Sequence, residues 1–448
     1  MDLPNDPANG AERQAVFPHA IVRECQDCGL FQDVPVLQPG DAAYCRRCNA
    51  TLRRGRRDGP LLRALVCGAA ALLLLLLATQ LPFLDLRSVG RVYQATLFTG
   101  PVQLKDHGMW EISAVVLTTL VGVPTIQLVL ILTVLLGLRS KHPSRRLPVL
   151  FGWVEALRPW SMVEVFLLGA FVAYTRLQDI AEVEVGPAFF ALGSVMLCIV
   201  AVDADLDHED VWESFEARGL CLDLPPQPQY ALIGCDTCRK VLRARPGTRC
   251  PRCYSRLRAR KFYSVGRTWA LSAAAAALYI PANIYPILTL IRFGRGAPST
   301  IIGGVIELFQ DRMWPLALLV LLASIVVPLF KLVSLAMLLV MTGQSSVTRL
   351  RDRTRLYRLI DSIGRWSMID VFMLTILVAL VRMGFIATVL PGVGAIAFSA
   401  VVILTMFAAA GFDPRLMWDR AAAAGHDLDA EDLEIRPRRL RRRRAAPA

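Results

Sequence analysis

Eight stretches of the chain are apolar almost without interruption, and the segments between them are polar and often basic. The apolar stretches cover roughly 61–83, 111–137, 152–175, 187–206, 268–291, 314–341, 361–385 and 389–411. About 20 helical residues, at 1.5 Å each, cross the hydrocarbon layer, so runs of this length predict membrane-spanning helices. Several contain Pro, Gly or an ionisable residue, which suits helices packed on one another rather than surrounded by lipid. The first 60 residues are polar, so a soluble head is expected there and not a cleavable signal.

Lys and Arg are concentrated in alternate connections. RRGRR (53–57), RSKHPSRR (139–146), the stretch from Arg239 to Arg267, RLRDRTRLYR (349–358) and RPRRLRRRR (436–444) are strongly basic. RLQDIAEVEVG (176–186) holds one Arg against three acids. If eight spans alternate, every basic segment falls on one side, which predicts cytoplasmic termini. Composition agrees with a membrane protein: 54% of the 448 residues are hydrophobic, the net charge is +13 and mean hydropathy is +0.45.

The pattern also repeats. LPFLDL (81–86) aligns with YPILTL (285–290), Met109-Trp110 with Met313-Trp314, and Pro124 with Pro328, all at an offset of 204. WSMVEVF (160–166) matches WSMIDVF (366–372), and DHEDVW (207–212) meets DPRLMW (413–418), at an offset of 206. Each half is a four-cysteine head followed by four spans, giving an all-α polytopic membrane protein built as two parallel repeats. The expected parts are a disordered N-terminus (1–20), a first head (21–58), a first membrane domain (61–215), a second head (230–262), a second membrane domain (266–420) and a basic tail (421–448).

Cys25, Cys28, Cys45 and Cys48 form two Cys-x-x-Cys knuckles separated by 16 residues; Cys235, Cys238, Cys250 and Cys253 form two separated by 11. Such knuckles surround one metal ion tetrahedrally, and a closed four-thiolate site suits structural zinc, with rubredoxin-like iron as the alternative. Cytoplasmic placement disfavours disulfides. Each clip would replace the core that so small a head cannot build, and each head is expected to brace its own bundle. Nearby arginines (Arg46, Arg47, Arg239, Arg252) offset the site's negative charge more simply than they bind nucleic acid. Cys67, Cys198 and Cys221 read as packing residues.

Ionisable groups inside spans are costly and are candidates for function. Glu164 and Asp370 occupy equivalent places in the repeated WSM motif, and Lys331 lies at similar depth in the sixth span with Gln127 as its counterpart. One lysine thus faces two carboxylates, and pairing with either leaves the other over. These residues either line a polar transport path where the half-bundles meet or only hold helices together. No nucleotide loop or zinc-protease motif is present, so no enzyme is expected.

Two four-cysteine heads, each before four spans, the WSMVEVF and WSMIDVF motifs and a closing FDPRLMWD (412–419) resemble the paraquat-inducible protein A family, which includes the lipophilic envelope-spanning tunnel A proteins. The resemblance spans roughly residues 20–420. It implies a multi-pass protein of the bacterial inner membrane. It also implies movement of phospholipids or other lipophiles between inner and outer membranes, with a periplasmic tunnel partner carrying mammalian-cell-entry domains. A membrane redox protein with iron in the clips and a purely structural anchor for such a partner are the competing readings.

Overall fold

The computed structural model describes residues 21–425 except 36, 39, 56–60, 89–90, 179–181, 223–226, 293–294, 311, 345–347 and 381–386. The expected disordered N-terminus (1–20) and nearly all of the basic tail (421–448) lie outside the described residues. The first half runs α1 (Leu61–Gln80), α2 (Thr99–Asp106), α3 (Trp110–Leu117), α4 (Val123–Arg139), α5 (Leu147–Leu157), α6 (Val163–Leu177), α7 (Pro187–Asp205) and α8 (His208–Ala217). The second half repeats the order as α9 (Ser264–Ile284), α10 (Ile301–Gln310), α11 (Trp314–Leu321), α12 (Val327–Gly343), α13 (Leu350–Gly364), α14 (Ile369–Leu380), α15 (Val393–Gly411) and α16 (Arg415–Ala423).

Among the described residues, seven helical stretches are long and apolar enough to cross a membrane: 61–80, 110–139, 147–175, 187–205, 314–343, 350–380 and 393–411. The remaining expected span, 268–291, overlaps α9, a 21-residue helix. It packs on α15 as α1 packs on α7. Its Ala and Ser content, with Arg267 and Asn283, makes it less apolar than its counterpart. Two expected spans also run into strand rather than helix, 268–291 at its end and 389–411 at its start. Pro82 and Pro286 cannot continue the preceding helices. The chain then extends into Leu84–Ser88 and Leu288–Arg292, the central strands of two antiparallel sheets. Arg91–Ala95 and Glu182–Val185 flank the first; Arg295–Ser299 and Ala387–Pro391 flank the second. Both sheets lie at the end of the bundle opposite the heads.

Two long spans are wound irregularly at equivalent places. Thr118–Gly122 and Leu322–Val326 form wide π turns. Pro124 and Pro328 lack the N–H that would bond the carbonyl four residues back, which loosens the helix there. The WSM segments are a second break: Arg158–Trp160 and Arg365–Met368 tighten into 3₁₀ turns between α5 and α6 and between α13 and α14.

The core runs along α14, where every residue but Ala379 is buried. α14 belongs to the second half but packs on α2 and α6 of the first. Glycines allow the approach: a Cβ on Gly169 would lie 3.1 Å from Ile369 O and from Phe372 Cβ. Phe166 and Phe372, equivalent in the two motifs, meet edge to face with ring centroids 5.5 Å apart.

The heads are exchanged between the halves, contrary to the expectation that each braces its own bundle. Cys25, Cys28, Cys45 and Cys48 share a core with Leu338, Tyr357, Phe412 and Trp418 of the second half. Cys235, Cys238, Cys250 and Cys253 share one with Phe151, Trp212 and Phe215 of the first. Each head is seated by the same contact, an arginine over the tryptophan of the other half's closing motif. Arg252 lies over Trp212 at 5.9 Å and Arg47 over Trp418 at 5.7 Å, and both pairs cross from head to opposite bundle end.

Candidate functional site

Each head places its sulfurs by the same backbone device. The residue after the second cysteine of every knuckle adopts the left-handed region: Gly29 (φ 73°), Asn49 (57°), Arg239 (58°) and Tyr254 (62°). That turn returns each residue's N–H to the first cysteine's carbonyl, at 2.9–3.0 Å. Only the first position carries glycine, the residue best suited to positive φ. All eight thiols are buried. Sulfur pairs lie 3.5 Å apart for Cys25–Cys48 and for Cys28–Cys45. They lie 3.4 Å apart for Cys235–Cys253 and 3.6 Å for Cys238–Cys250. A tetrahedral ion with bonds of about 2.3 Å needs sulfurs about 3.8 Å apart, and a disulfide needs about 2.05 Å. Both groups therefore fit a metal ion. All 11 cysteines are free thiols; Cys67, Cys198 and Cys221 are half-buried and pack against the cores.

Arg415 ties the heads to the second half. It is 2% exposed and bonds Asp413 at 3.0 Å, Glu24 of the first head at 3.2 Å and Asp236 of the second at 3.1 Å. Arg260 joins Glu24 at 3.3 Å to Asp419 at 2.5 Å. At the equivalent place in the first half, Glu209 pairs with Arg23. Burial opposes the charge of Asp413, but Arg415 and the N–H groups of Lys261 and Arg415 hold its carboxyl below the usual range. Burial pushes the Glu24 carboxyl up, with Arg415 and Arg260 pulling against it. Sequence reading missed this hub, although FDPRLMWD carries three of its members.

The membrane-embedded candidates gather at the second WSM break, in pairings other than those expected. Lys331 is wholly buried and its Nζ donates to Gly364 O at 3.2 Å. Among the described residues no carboxylate lies within ion-pair distance of it. Gly364 ends α13 where the helix tightens into the 3₁₀ turn Arg365–Met368, and its carbonyl takes the place of an acid as acceptor for the ammonium. The next residue, Arg365, takes Glu164 across the half-bundle boundary at 3.5 Å. One peptide, 364–365, thus joins Lys331 to Glu164. Asp370 is buried and accepts from Ser324 Oγ at 2.5 Å, and Ser324 sits in the π turn before Pro328. Both line a cavity of about 50 Å³ with Thr300, Ile301, Leu374 and Ser399. That is room for a few waters, with polar partners to hold them. Gln127, counterpart of Lys331, is buried in α4. Gly364 before the WSM motif was the sequence signal for the helix end; Ser324 had none of its own.

A family model described as Paraquat-inducible protein A matches residues 61–216 and 265–422, the two membrane repeats without their heads. The chain belongs to the paraquat-inducible protein A family. It is 34% identical to "Intermembrane transport protein PqiA" of Escherichia coli over 417 residues, covering 90% of this chain and 97% of the relative. It is 30% identical to "Lipophilic envelope-spanning tunnel protein A" of Escherichia coli over 407 residues, covering 90% and 92%. A "Probable intermembrane transport protein" of Haemophilus influenzae is 26% identical over 412 residues, covering 90% and 96%. These family members are named for transport or for a tunnel, and none of the three as an enzyme. No solved structure matches.

Proposed function

We propose that the protein is the inner-membrane subunit of a system that moves phospholipids or related lipophiles between the inner and outer membranes. In this reading it works with a periplasmic tunnel protein carrying mammalian-cell-entry domains. Heads and termini face the cytoplasm, as the basic connections require, so the two small sheets face the periplasm and the partner. Each head holds one structural zinc ion. The observation that supports transport over anchoring is the polar cluster at the second WSM break. A charge at the bilayer centre costs about 2.5–3.5 kcal/mol by insertion scales. An anchor would gain nothing by keeping Lys331, Asp370 and Glu164 there. Lys331, Glu164 and Asp370, with Gln127 opposite, line the polar path along the half-bundle boundary. Water beside Asp370 and Ser324 hydrates it.

Co-purification tests this reading. Protein extracted from envelopes with its periplasmic partner should carry phospholipid, identified by mass spectrometry, and cells lacking it should transfer labelled phospholipid more slowly. Stoichiometric iron with a reversible redox band would favour the electron-transfer reading, and unchanged lipid transfer in the deletion strain would favour the anchor.

A further inference from the structure

The two clips rest on equivalent platforms of different chemistry. Asp27 lies between Cys25 and Cys28 as Thr237 lies between Cys235 and Cys238, and Arg358 on α13 corresponds to Gly152 on α5 at the 206-residue offset. At the first clip, Arg358 Nε donates to Asp27 Oδ2 at 2.6 Å, and Nη2 donates to Cys48 O at 3.0 Å and to Cys48 Sγ at 3.2 Å. At the second clip the same approach is made by bare backbone: a Cβ on Gly152 would lie 3.4 Å from Thr237 Cγ2. The space that the guanidinium fills on one side is open on the other. It forms part of a polar cleft of about 540 Å³ lined by Gly152, Glu155, His208, Thr237, Cys238 and Arg239. The hydroxyl of Ser255, from the same head, lies 3.2 Å from the Cys235 sulfur and 2.9 Å from that of Cys253.

We propose that Arg358 is a latch on the first metal ion, so that the two clips differ in how readily they give up metal. Four thiolates around a divalent ion carry a formal charge of about −2. A permanently charged fork donating to one sulfur and to that residue's carbonyl disperses that charge and holds Cys48 in place, so the ligand that must move away to release the ion is braced. Because Arg358 comes from the second half, the first clip keeps its metal only while the exchanged packing is intact. The second clip has a neutral hydroxyl in place of the guanidinium, and Cys238 opens onto the cleft, through which a competing ligand can approach. Its metal is the exchangeable one.

Full-length protein in detergent, loaded with zinc and challenged with excess chelator and a chromogenic reporter, tests this. Release should be biphasic with one ion per phase. Outer-shell partners are worth about 10–100-fold in metal affinity, so the rates should differ at least about tenfold. Cys235→Ser with Cys238→Ser should remove the fast phase alone. Arg358→Gly, which transplants the first half's residue, should convert slow release into fast, and Arg358→Lys should fall between. If Arg358→Gly does not fold, Asp27→Asn reports instead: it leaves the guanidinium but frees its orientation, and should speed the slow phase. A single phase for both ions in the unaltered protein would overturn the proposal. So would a fast phase belonging to Cys25–Cys48, or a slow phase unchanged in both Arg358→Gly and Asp27→Asn.

Discussion

The two halves share a frame and divide the chemistry unequally. Helix for helix they repeat, down to the π turns before Pro124 and Pro328 and the tryptophans that seat the heads. Polar and charged equipment is concentrated in the second. Lys331 stands where the first half has Gln127, Ser324 where it has Leu120, Arg358 where it has Gly152, and Arg415 where it has Glu209. Packing follows the same bias: α14 is buried almost throughout, while in the first half Glu164 remains 41% exposed. Hydrophobic packing tolerates duplication because it needs only pattern and volume. A buried charge needs one particular partner, and a duplicated charge would need a duplicated partner. The halves are therefore alike in shape and complementary in charge.

The exchange of heads is the broadest part of this comparison to test. Cys25→Ser with Cys28→Ser should release one metal ion per chain and expose the second half's head end. Limited proteolysis should then cut α13 and α16 and spare α8, because metal binding supplies the folding free energy of so small a module. Cleavage at α8 would restore the unexchanged arrangement. Next in size is Arg415→Ala, which leaves the buried carboxylate of Asp413 without its cation and Glu24 with Arg260 alone; about 3–5 kcal/mol of stability should be lost. Glu209→Ala, on the more exposed first-half side, should cost less by the same thermal denaturation.

Gly100→Ala probes the boundary between the halves, since its Cβ would lie 2.6 Å from Thr375 Cγ2 and 2.7 Å from Thr375 O. Overpacking of this kind costs about 1–3 kcal/mol. Gly193→Ala, with nothing within 4 Å, should be neutral, and equal effects would mean that α2 and α14 do not approach as described. The smallest effect is acid lability of the hub. The Asp413 carboxyl is held below its usual value of 3.8, so its contribution is full above that value and fades as pH falls through the lowered one. Melting curves down to pH 3 should show this loss, and Asp413→Asn should flatten that limb. Glu24, raised by burial, acts with opposite sign at higher pH.

The frame of this molecule is legible in its sequence because periodic hydrophobicity, proline and cysteine spacing act locally. Residues 235–253 read as a clip, and 111–137 as a span, without knowledge of any distant contact. What escaped reading was set by partners far along the chain. Glu24 meets Arg415 across 391 positions, and Asp27 meets Arg358 across 331. No local pattern says which bundle a head will sit on. Lys331 was legible as a costly residue, but not its acceptor: a carbonyl exists at every position, and the packing of α12 on α13 is what brings that of Gly364 to it. The end of span 268–291 and the start of span 389–411 were read as helix because apolar residues such as Ile291 and Val389 at a membrane edge suit either structure, and strand pairing settled the choice.

The central claim is that the second half carries the transport chemistry, and paired substitutions at equivalent positions test it most directly. Lipid transfer should be measured in cells expressing Lys331→Ala, Lys331→Arg and Gln127→Ala at matched levels in the membrane. The account predicts that Lys331→Ala loses transfer while expression stays near normal, Lys331→Arg is intermediate because the guanidinium fits the Gly364 carbonyl poorly, and Gln127→Ala transfers almost normally. Full transfer in Lys331→Ala, or equal losses at Lys331 and Gln127, would contradict it.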